Sequence, residues 1–378
     1  MSQLPVPGTM DEITPEWLTA ALRERGHLAA ATVTAIDKVT IGAGVGILGE
    51  LSRMTPTYST SEAAAPKTLI AKIPTADPGG KGIAQMLGFY EKEARFYNEI
   101  CDSVGVRAAR GYYTASDVAA VKYVILMEDL ATIRMGDQVS GASLEECRTV
   151  ISQAACLHAK WWGSAELAKL DWIPSGNAPI IKLAALAYGQ ALEPFLVKFG
   201  EHLTPMQHKM ALDFLPRMNP MQDAFASEPL TLCHGDLRLD NIFFGSPDGS
   251  SPCTLIDWQI AIKARGPYDI AYFMTQSVDP AVRAPNEETL VREYARQLED
   301  RGVKGYSFDQ AWDDYRISSM FCLAYPVTAG GSIDLANERG VELANKMLDR
   351  SLSAIMDLKA YEVLDRFDPA PLPAIPGA

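Results

Sequence analysis

Residues 234–241 read HGDLRLDN, and Ile256-Asp257-Trp258 follows, with Asp257 sixteen positions beyond Asn241. Two short strand-like pieces, NIFFG and CTLIDWQ, interrupt the helical text here, so the segment is expected as a loop followed by a short hairpin. The plain alternative is a polar turn between two strands. Phosphoryl transfer from a nucleotide asks for more than a turn. It needs a carboxylate that orients and deprotonates an acceptor hydroxyl, oxygen ligands for Mg²⁺, and a cation facing charge on the transferring group. Asp236 suits the first task. Asn241 and Asp257 offer a neutral and an anionic oxygen for the metal, and Arg238, two residues after Asp236, could reach the γ-phosphate. A hairpin between them is expected to return Asp257 to the side of Asn241.

A second constraint lies in TLIAKIP, which puts Lys72 in an apolar strand on the same face as Ile70. A buried ammonium is costly unless paired. In the helix expected over about 81–103, Met86, Tyr90, Glu93, Tyr97 and Ile100 follow a four–three spacing, so Glu93 joins the inward stripe and Glu91 does not. Lys72 and Glu93 are therefore expected to pair, and in kinase-like folds such a pair holds the nucleotide phosphates. A lysine snorkelling from an edge strand is the simpler alternative.

Gly42, Gly44 and Gly46 lie in IGAGVGILG, which contains G-x-G-x-x-G at 44–49. LSRMTPTYST follows, without helical periodicity and with Pro56, so a hairpin over phosphates fits better than a dinucleotide-binding turn. An unliganded glycine hairpin has the same sequence. The run VILMEDL, a buried strand running into Glu128-Asp129-Leu130, resembles an interlobe hinge, where the carbonyl of Glu128 and the N–H of Leu130 would meet an adenine edge; a strand exit with solvated acids is the alternative. His158, Trp161 and Trp162 of LHAKWW read as packing, His202 and His208 as surface, and Cys233 has no adjacent base to make it a nucleophile.

The 378 residues divide at about 130 into a β-rich segment, 1–130, and a mainly helical one, 131–378. Helices are expected near 14–26, 143–161, 182–199, 205–226 and from 268 to about 365. The cleft between two such lobes is where a ligand would bind. With 48% hydrophobic and 21% charged residues the bulk of the chain is not disordered. A formal charge of −13 gives no general attraction to nucleic acid or anionic lipid. No apolar run approaches a membrane span, the N-terminus has no signal-peptide pattern, and six scattered cysteines form no C-x-x-C pair. A cytoplasmic protein with reduced thiols is expected; oligomeric state is not legible.

HGDLRLDN with LIDWQ resembles the aminoglycoside phosphotransferase and choline kinase family, and CLHAKWW, IDWQ and GPYDIAYF are similar to a bacterial branch near the ecdysteroid-kinase-like proteins. The resemblance covers about residues 35–330. It implies an α+β, bilobal, protein-kinase-like fold, with a small β-rich lobe carrying one key helix and a larger helical lobe. It also implies ATP, with GTP as the alternative, and Mg²⁺, used to phosphorylate a hydroxyl of a small molecule. On this resemblance Asp269, in GPYDIAYF, caps backbone groups beneath the catalytic loop. Ecdysteroid-kinase-like members commonly carry Trp where this chain has Arg238, so their steroid substrates are not carried over.

A nucleotide-binding regulator without turnover is the competing class. It would have lost Asp236, Lys72, Asn241 or Asp257, and all four are present. HGD in place of HRD and the lack of A-P-E after Asp257 count against a protein kinase. The insertion at about 164–228, rich in Ala, Leu, Phe and Met and poor in acids, suits a neutral or partly apolar alcohol or phenol better than a polycation. Helix packing would produce the same composition.

Overall fold

The computed structural model describes residues 4–41, 49–332 and 337–372. The chain forms two compact units, Met1–Arg134 with Gly245–Ile260, and Met135–Phe244 with Ala261–Ala378. The β-rich unit thus recruits a later segment that contains Asp257, which one cut near residue 130 would assign elsewhere.

In the β-rich unit, α1 (Pro15–Glu24) starts as its sequence dictates. Thr14 accepts a hydrogen bond from the Trp17 amide and Pro15 occupies the first turn. Its buried stripe, Trp17, Leu18, Ala21 and Leu22, packs on a five-stranded antiparallel sheet. The strands are β1 (Val33–Ile41), β2 (Gly49–Tyr58), β3 (Leu69–Pro74), β4 (Gly111–Asp117) and β5 (Lys122–Glu128), in spatial order β1-β2-β3-β5-β4. Strand alternation splits β3. Leu69, Ala71 and Ile73 join the core under α1, whereas Ile70 joins Ile125, Met127 and Tyr97 on the other face. Lys72, opposite Ile125 and Leu51, shares that second face, as its register with Ile70 requires.

The helix expected over 81–103 is broken. α2 (Pro78–Met86) ends before Gly88, whose φ of +66° is the left-handed conformation glycine adopts without steric cost, and α3 (Phe89–Arg95) restarts there. A widened helical turn, Phe96–Ile100, follows. The break takes Met86 off the inward stripe, and it is 60% exposed. Tyr90, Glu93 and Ile100 stay buried.

The second unit is built mainly from helices and includes a small antiparallel pair, β6 (Thr231–Cys233) and β7 (Ile262–Ala264), and a further short strand, Ile242–Phe244. α4 (Leu144–Trp161) begins with a reciprocal Ser143–Glu146 capping box. α5 (Ala184–Phe199), α6 (Pro267–Ser277), α7 (Glu287–Asp300), α8 (Phe308–Phe321), α9 (Ala324–Ser332) and α10 (Glu338–Asp357) belong to the frame, and the helix expected over 205–226 is split into Pro205–Phe214 and Met218–Phe225 by a tighter turn at Leu215–Arg217. Every residue of α6 is buried, so this helix is the axis on which the functional loop is mounted. The helical run Pro179–His202 is long and apolar enough, by length and composition, to cross a membrane, although no uninterrupted apolar stretch announces it. Its buried residues include Ala191 and Phe199, and α9 reaches them: a Cβ on Gly331 would sit 2.3 Å from the Ala191 carbonyl oxygen.

Candidate active site

Each unit carries one cluster of the residues singled out above. In the β-rich unit the Lys72 ammonium lies 2.7 Å from Glu93 Oε2 and 3.2 Å from Asp257 Oδ1. The predicted Lys72–Glu93 pair therefore forms, with a second carboxylate on the same cation. Burial alone would push the ammonium toward its neutral form, but the charges of Asp257 and Glu93 outweigh it and hold Lys72 above its ordinary value. Burial drives the Glu93 carboxyl upward and Lys72 pulls it back. Lys72 thus stays protonated. Asp257 sits at φ +65°, a conformation aspartate tolerates better than most residues. Trp258, next in the chain, stacks on Phe96 with centroids 4.4 Å apart and rings 9° from parallel. This stack ties the Asp257 segment to the turn that follows Glu93. Asp257 Oδ2 accepts a hydrogen bond from Gln259 Nε2 at 3.3 Å.

Glu128 and Leu130 stand at the end of β5 as expected, but the acids there are not left to solvent. The Glu128 carboxylate pairs with Arg107 at 2.6 Å and accepts the Arg110 amide at 3.1 Å, and Asp129 pairs with Arg53 at 2.9 Å. Leu130 is buried. These side chains fix the strand exit, whatever its main chain contacts. Gly42, Gly44 and Gly46 lie outside the described residues.

In the helical unit, β6 delivers residues 234–241 as a loop. Gly235 has φ +84°, which turns the chain directly after His234. The buried Asp269 of α6 caps that turn: Oδ2 accepts the His234 amide at 2.7 Å and Oδ1 the Gly235 amide at 2.9 Å. His158 of α4, fully buried, lies 3.2 Å from Asp269 Oδ2 through Nε2 and 2.8 Å from the Tyr294 hydroxyl through Nδ1. A carboxylate only accepts, so Nε2 carries the proton that faces it. His158, Cys233 and Asp269 come within 4.8 Å of one another. The hydrogen bond between His158 and Asp269 accounts for two of them, Cys233 Sγ is turned to the Arg265 carbonyl, and burial raises the Cys233 thiol far above its usual range, which disfavours a thiolate ligand. Trp161 is buried beside His158, while His202 is exposed and His208 half-buried, in line with the sequence.

Beyond Gly235, three donors converge on the buried Asp236 carboxylate. The Tyr272 hydroxyl donates to Oδ1 at 2.6 Å, and Asn241 Nδ2 and Arg238 Nε reach Oδ2 at 2.9 and 3.2 Å. Burial opposes ionisation. The Arg238 charge, the Tyr272 hydroxyl and the neighbouring His234 outweigh it, so Asp236 is held below the ordinary carboxylate range and is ionised at neutral pH. Arg238 is shared, since Nη1 also reaches Asp240 at 3.1 Å and Gln138 Oε1 at 3.3 Å. Asn241 gives its nitrogen to Asp236, which leaves the amide oxygen as the end suited to a cation.

Sequence reasoning missed Tyr272, Gln138 and Gln259. Tyr272 had a usable signal. It lies three residues after Asp269 on one helix, hence on the same face, and Asp269 was already placed under the loop. Gln138 is 100 positions from Arg238 in sequence, and no local pattern connects them.

The model of the ecdysteroid kinase-like family matches residues 44–170 and 177–304. The chain belongs to the ecdysteroid kinase-like family. Among solved structures, this kinase-like chain is similar to the GDP complex of a mutant aminoglycoside 2′-phosphotransferase-IIIa, at TM-score 0.52 and 13% identity, over 90% of this chain and 97% of that one. It is also similar to Plasmodium vivax ethanolamine kinase, at TM-score 0.50 and 10% identity, over 86% of this chain and 83% of that one. At these identities the likeness establishes the fold, the α+β kinase-like arrangement expected from the sequence. No curated protein sequence matches the chain significantly.

Proposed function

We propose that this kinase-like chain transfers the γ-phosphate of ATP to a hydroxyl of a small molecule, a neutral or partly apolar alcohol or phenol, with Mg²⁺ as the metal. The observation that carries this reading is the Asp236 carboxylate: buried, ionised, and fixed by Tyr272, Asn241 and Arg238 within a loop itself pinned by Asp269. Nothing in a mere turn calls for that concentration of donors on one carboxylate.

In this reading Asp236 receives the acceptor hydroxyl and orients its oxygen for in-line attack. Its lowered affinity for protons makes it a positioning group first, one that takes the proton only as the new phosphate ester bond forms. Lys72 meets the nucleotide phosphates, and Glu93 keeps its ammonium aimed and charged. Arg238 exchanges part of its hold on Asp236 and Asp240 for charge developing on the transferred group. Asp257 and Asn241 would supply the metal's oxygen ligands. Bound there, Mg²⁺ would neutralise phosphate charge, and an all-oxygen donor set suits that hard cation. The nucleotide held by the aminoglycoside phosphotransferase relative supports a nucleotide site of this type. A nucleotide-binding regulator without turnover is the second reading; the intact Lys72, Asp236, Asn241 and Asp257 set stands against it.

Two results follow. Thermal-shift titration should show stabilisation by MgATP that largely disappears in Lys72→Ala. An equal shift in wild type and variant would remove Lys72 from the phosphate site. Tyr272→Phe keeps the ring and deletes one charge-assisted hydrogen bond to Asp236. A bond of that class, worth ~1.5–3 kcal/mol, predicts a loss of kcat of about tenfold or more with the KM for ATP unchanged. Steady-state kinetics on the identified acceptor checks it, and an unchanged kcat would confine Tyr272 to packing.

A further inference from the structure

Gln259 is more than nine-tenths buried and lies beside Asp257, the carboxylate assigned to the metal. Among the described residues only one end of its carboxamide is engaged: Nε2 donates to Asp257 Oδ2 at 3.3 Å, and Oε1 is buried with no hydrogen-bond partner there. A buried acceptor without a partner loses its hydration and gains nothing in return, so such atoms are uncommon and ask for an explanation. The other groups on this carboxylate do not provide one. Lys72 spends its ammonium on Glu93 and on Asp257 Oδ1.

We propose that Gln259 is a third protein oxygen ligand of the divalent cation held at Asp257. The proposal rests on the phosphotransferase reading for the presence of that cation. The terminal amide torsion of glutamine is broad and roughly two-fold, so the same side chain can face Asp257 with either end. Here the nitrogen faces the carboxylate, as a donor should face an anion. With a cation on Asp257 the amide turns and presents Oε1, a neutral hard oxygen of the kind Mg²⁺, Mn²⁺ and Ca²⁺ accept. Trp258, stacked on Phe96 between the two residues in sequence, holds both at the same point. Gln259 thereby acts as a device that covers Asp257 before the metal binds and completes its coordination afterwards.

The test is the affinity for Mn²⁺ as a spectroscopic substitute, measured by electron paramagnetic resonance of free Mn²⁺ in the presence of a non-hydrolysable ATP analogue, for wild type, Gln259→Leu and Gln259→Glu. No acceptor substrate is needed. Gln259→Leu should weaken Mn²⁺ binding about tenfold or more, the range found when a group in a metal's immediate surroundings is removed. Gln259→Glu, which offers an anionic oxygen in the same place, should bind Mn²⁺ more tightly than wild type and show a larger thermal shift on adding the metal. Mn²⁺ affinity in Gln259→Leu within about twofold of wild type, well short of that range, would overturn the proposal. If Gln259→Leu does not fold, Gln259→Glu decides alone: unchanged or weaker Mn²⁺ binding overturns the assignment. Failure of wild type to bind Mn²⁺ with the analogue would overturn the phosphotransferase reading as well, whereas wild-type binding that is indifferent to residue 259 removes only the Gln259 ligand.

Discussion

Asp236→Asn should lower turnover by ~10²–10⁴-fold and leave the affinity for MgATP nearly intact, because general-base and positioning roles act on the acceptor and not on the nucleotide phosphates. The geometry makes the first effect severe. Tyr272, Asn241 and Arg238 all present donors to this side chain, on two carboxylate oxygens that both accept. An asparagine replaces one of those oxygens with an NH₂ group, which sets a donor against a donor and removes the charge that holds Arg238 in place. Arg238→Ala should behave differently, altering both kcat and the KM for ATP, since a cation on the transferring group also touches bound nucleotide. Steady-state kinetics with ATP varied at fixed acceptor, beside direct nucleotide titration, separates the two. Asp236→Asn with near wild-type kcat would end the mechanism as assigned.

Asp257→Ala should abolish Mg²⁺-dependent nucleotide binding, and Asn241→Ala should weaken it. The asymmetry follows from charge: Asp257 supplies an anionic oxygen and Asn241 a neutral one. Asp257→Ala also removes one of the two carboxylates on Lys72, leaving the ammonium to Glu93 alone at 2.7 Å. Nucleotide binding without metal should therefore persist, through a lysine that faces less competition for phosphate. Isothermal titration with ATP, with and without Mg²⁺, reads both terms. A Mg²⁺-dependent affinity in Asp257→Ala equal to that of wild type would place the metal elsewhere.

Local pattern made part of this molecule legible. Thr14 and Pro15 opened a helix where capping chemistry said they would, the face shared by Ile70 and Lys72 followed from a period of two, and Glu93 came from a period of three to four. The same period misled at Met86, because one left-handed residue, Gly88, separates two helices and the count does not carry across it. Sequence distance concealed more. Asp257 joins the unit that holds Lys72 although 185 positions separate them. Tyr272 reaches Asp236 only because α6 runs beneath the loop, a fact of packing that no window of residues contains. The simpler reading of Glu128 and Asp129, a strand exit with solvated acids, missed Arg107 and Arg53, which lie apart from them in sequence and pair with them. Chemistry-bearing residues were visible as types at a spacing, and the groups that set their charge and aim were not.

The central claim, that ATP is consumed to phosphorylate a small hydroxylated acceptor through Asp236, is tested most directly by ATP consumption against pooled metabolites with Mg²⁺, run with wild-type protein and with Asp236→Asn as the blank. The account predicts acceptor-dependent ATP loss with wild type in at least one pool, a matching phosphorylated product, and a signal reduced at least ~10²-fold with Asp236→Asn. Equal acceptor-dependent ATP loss by both proteins would contradict it.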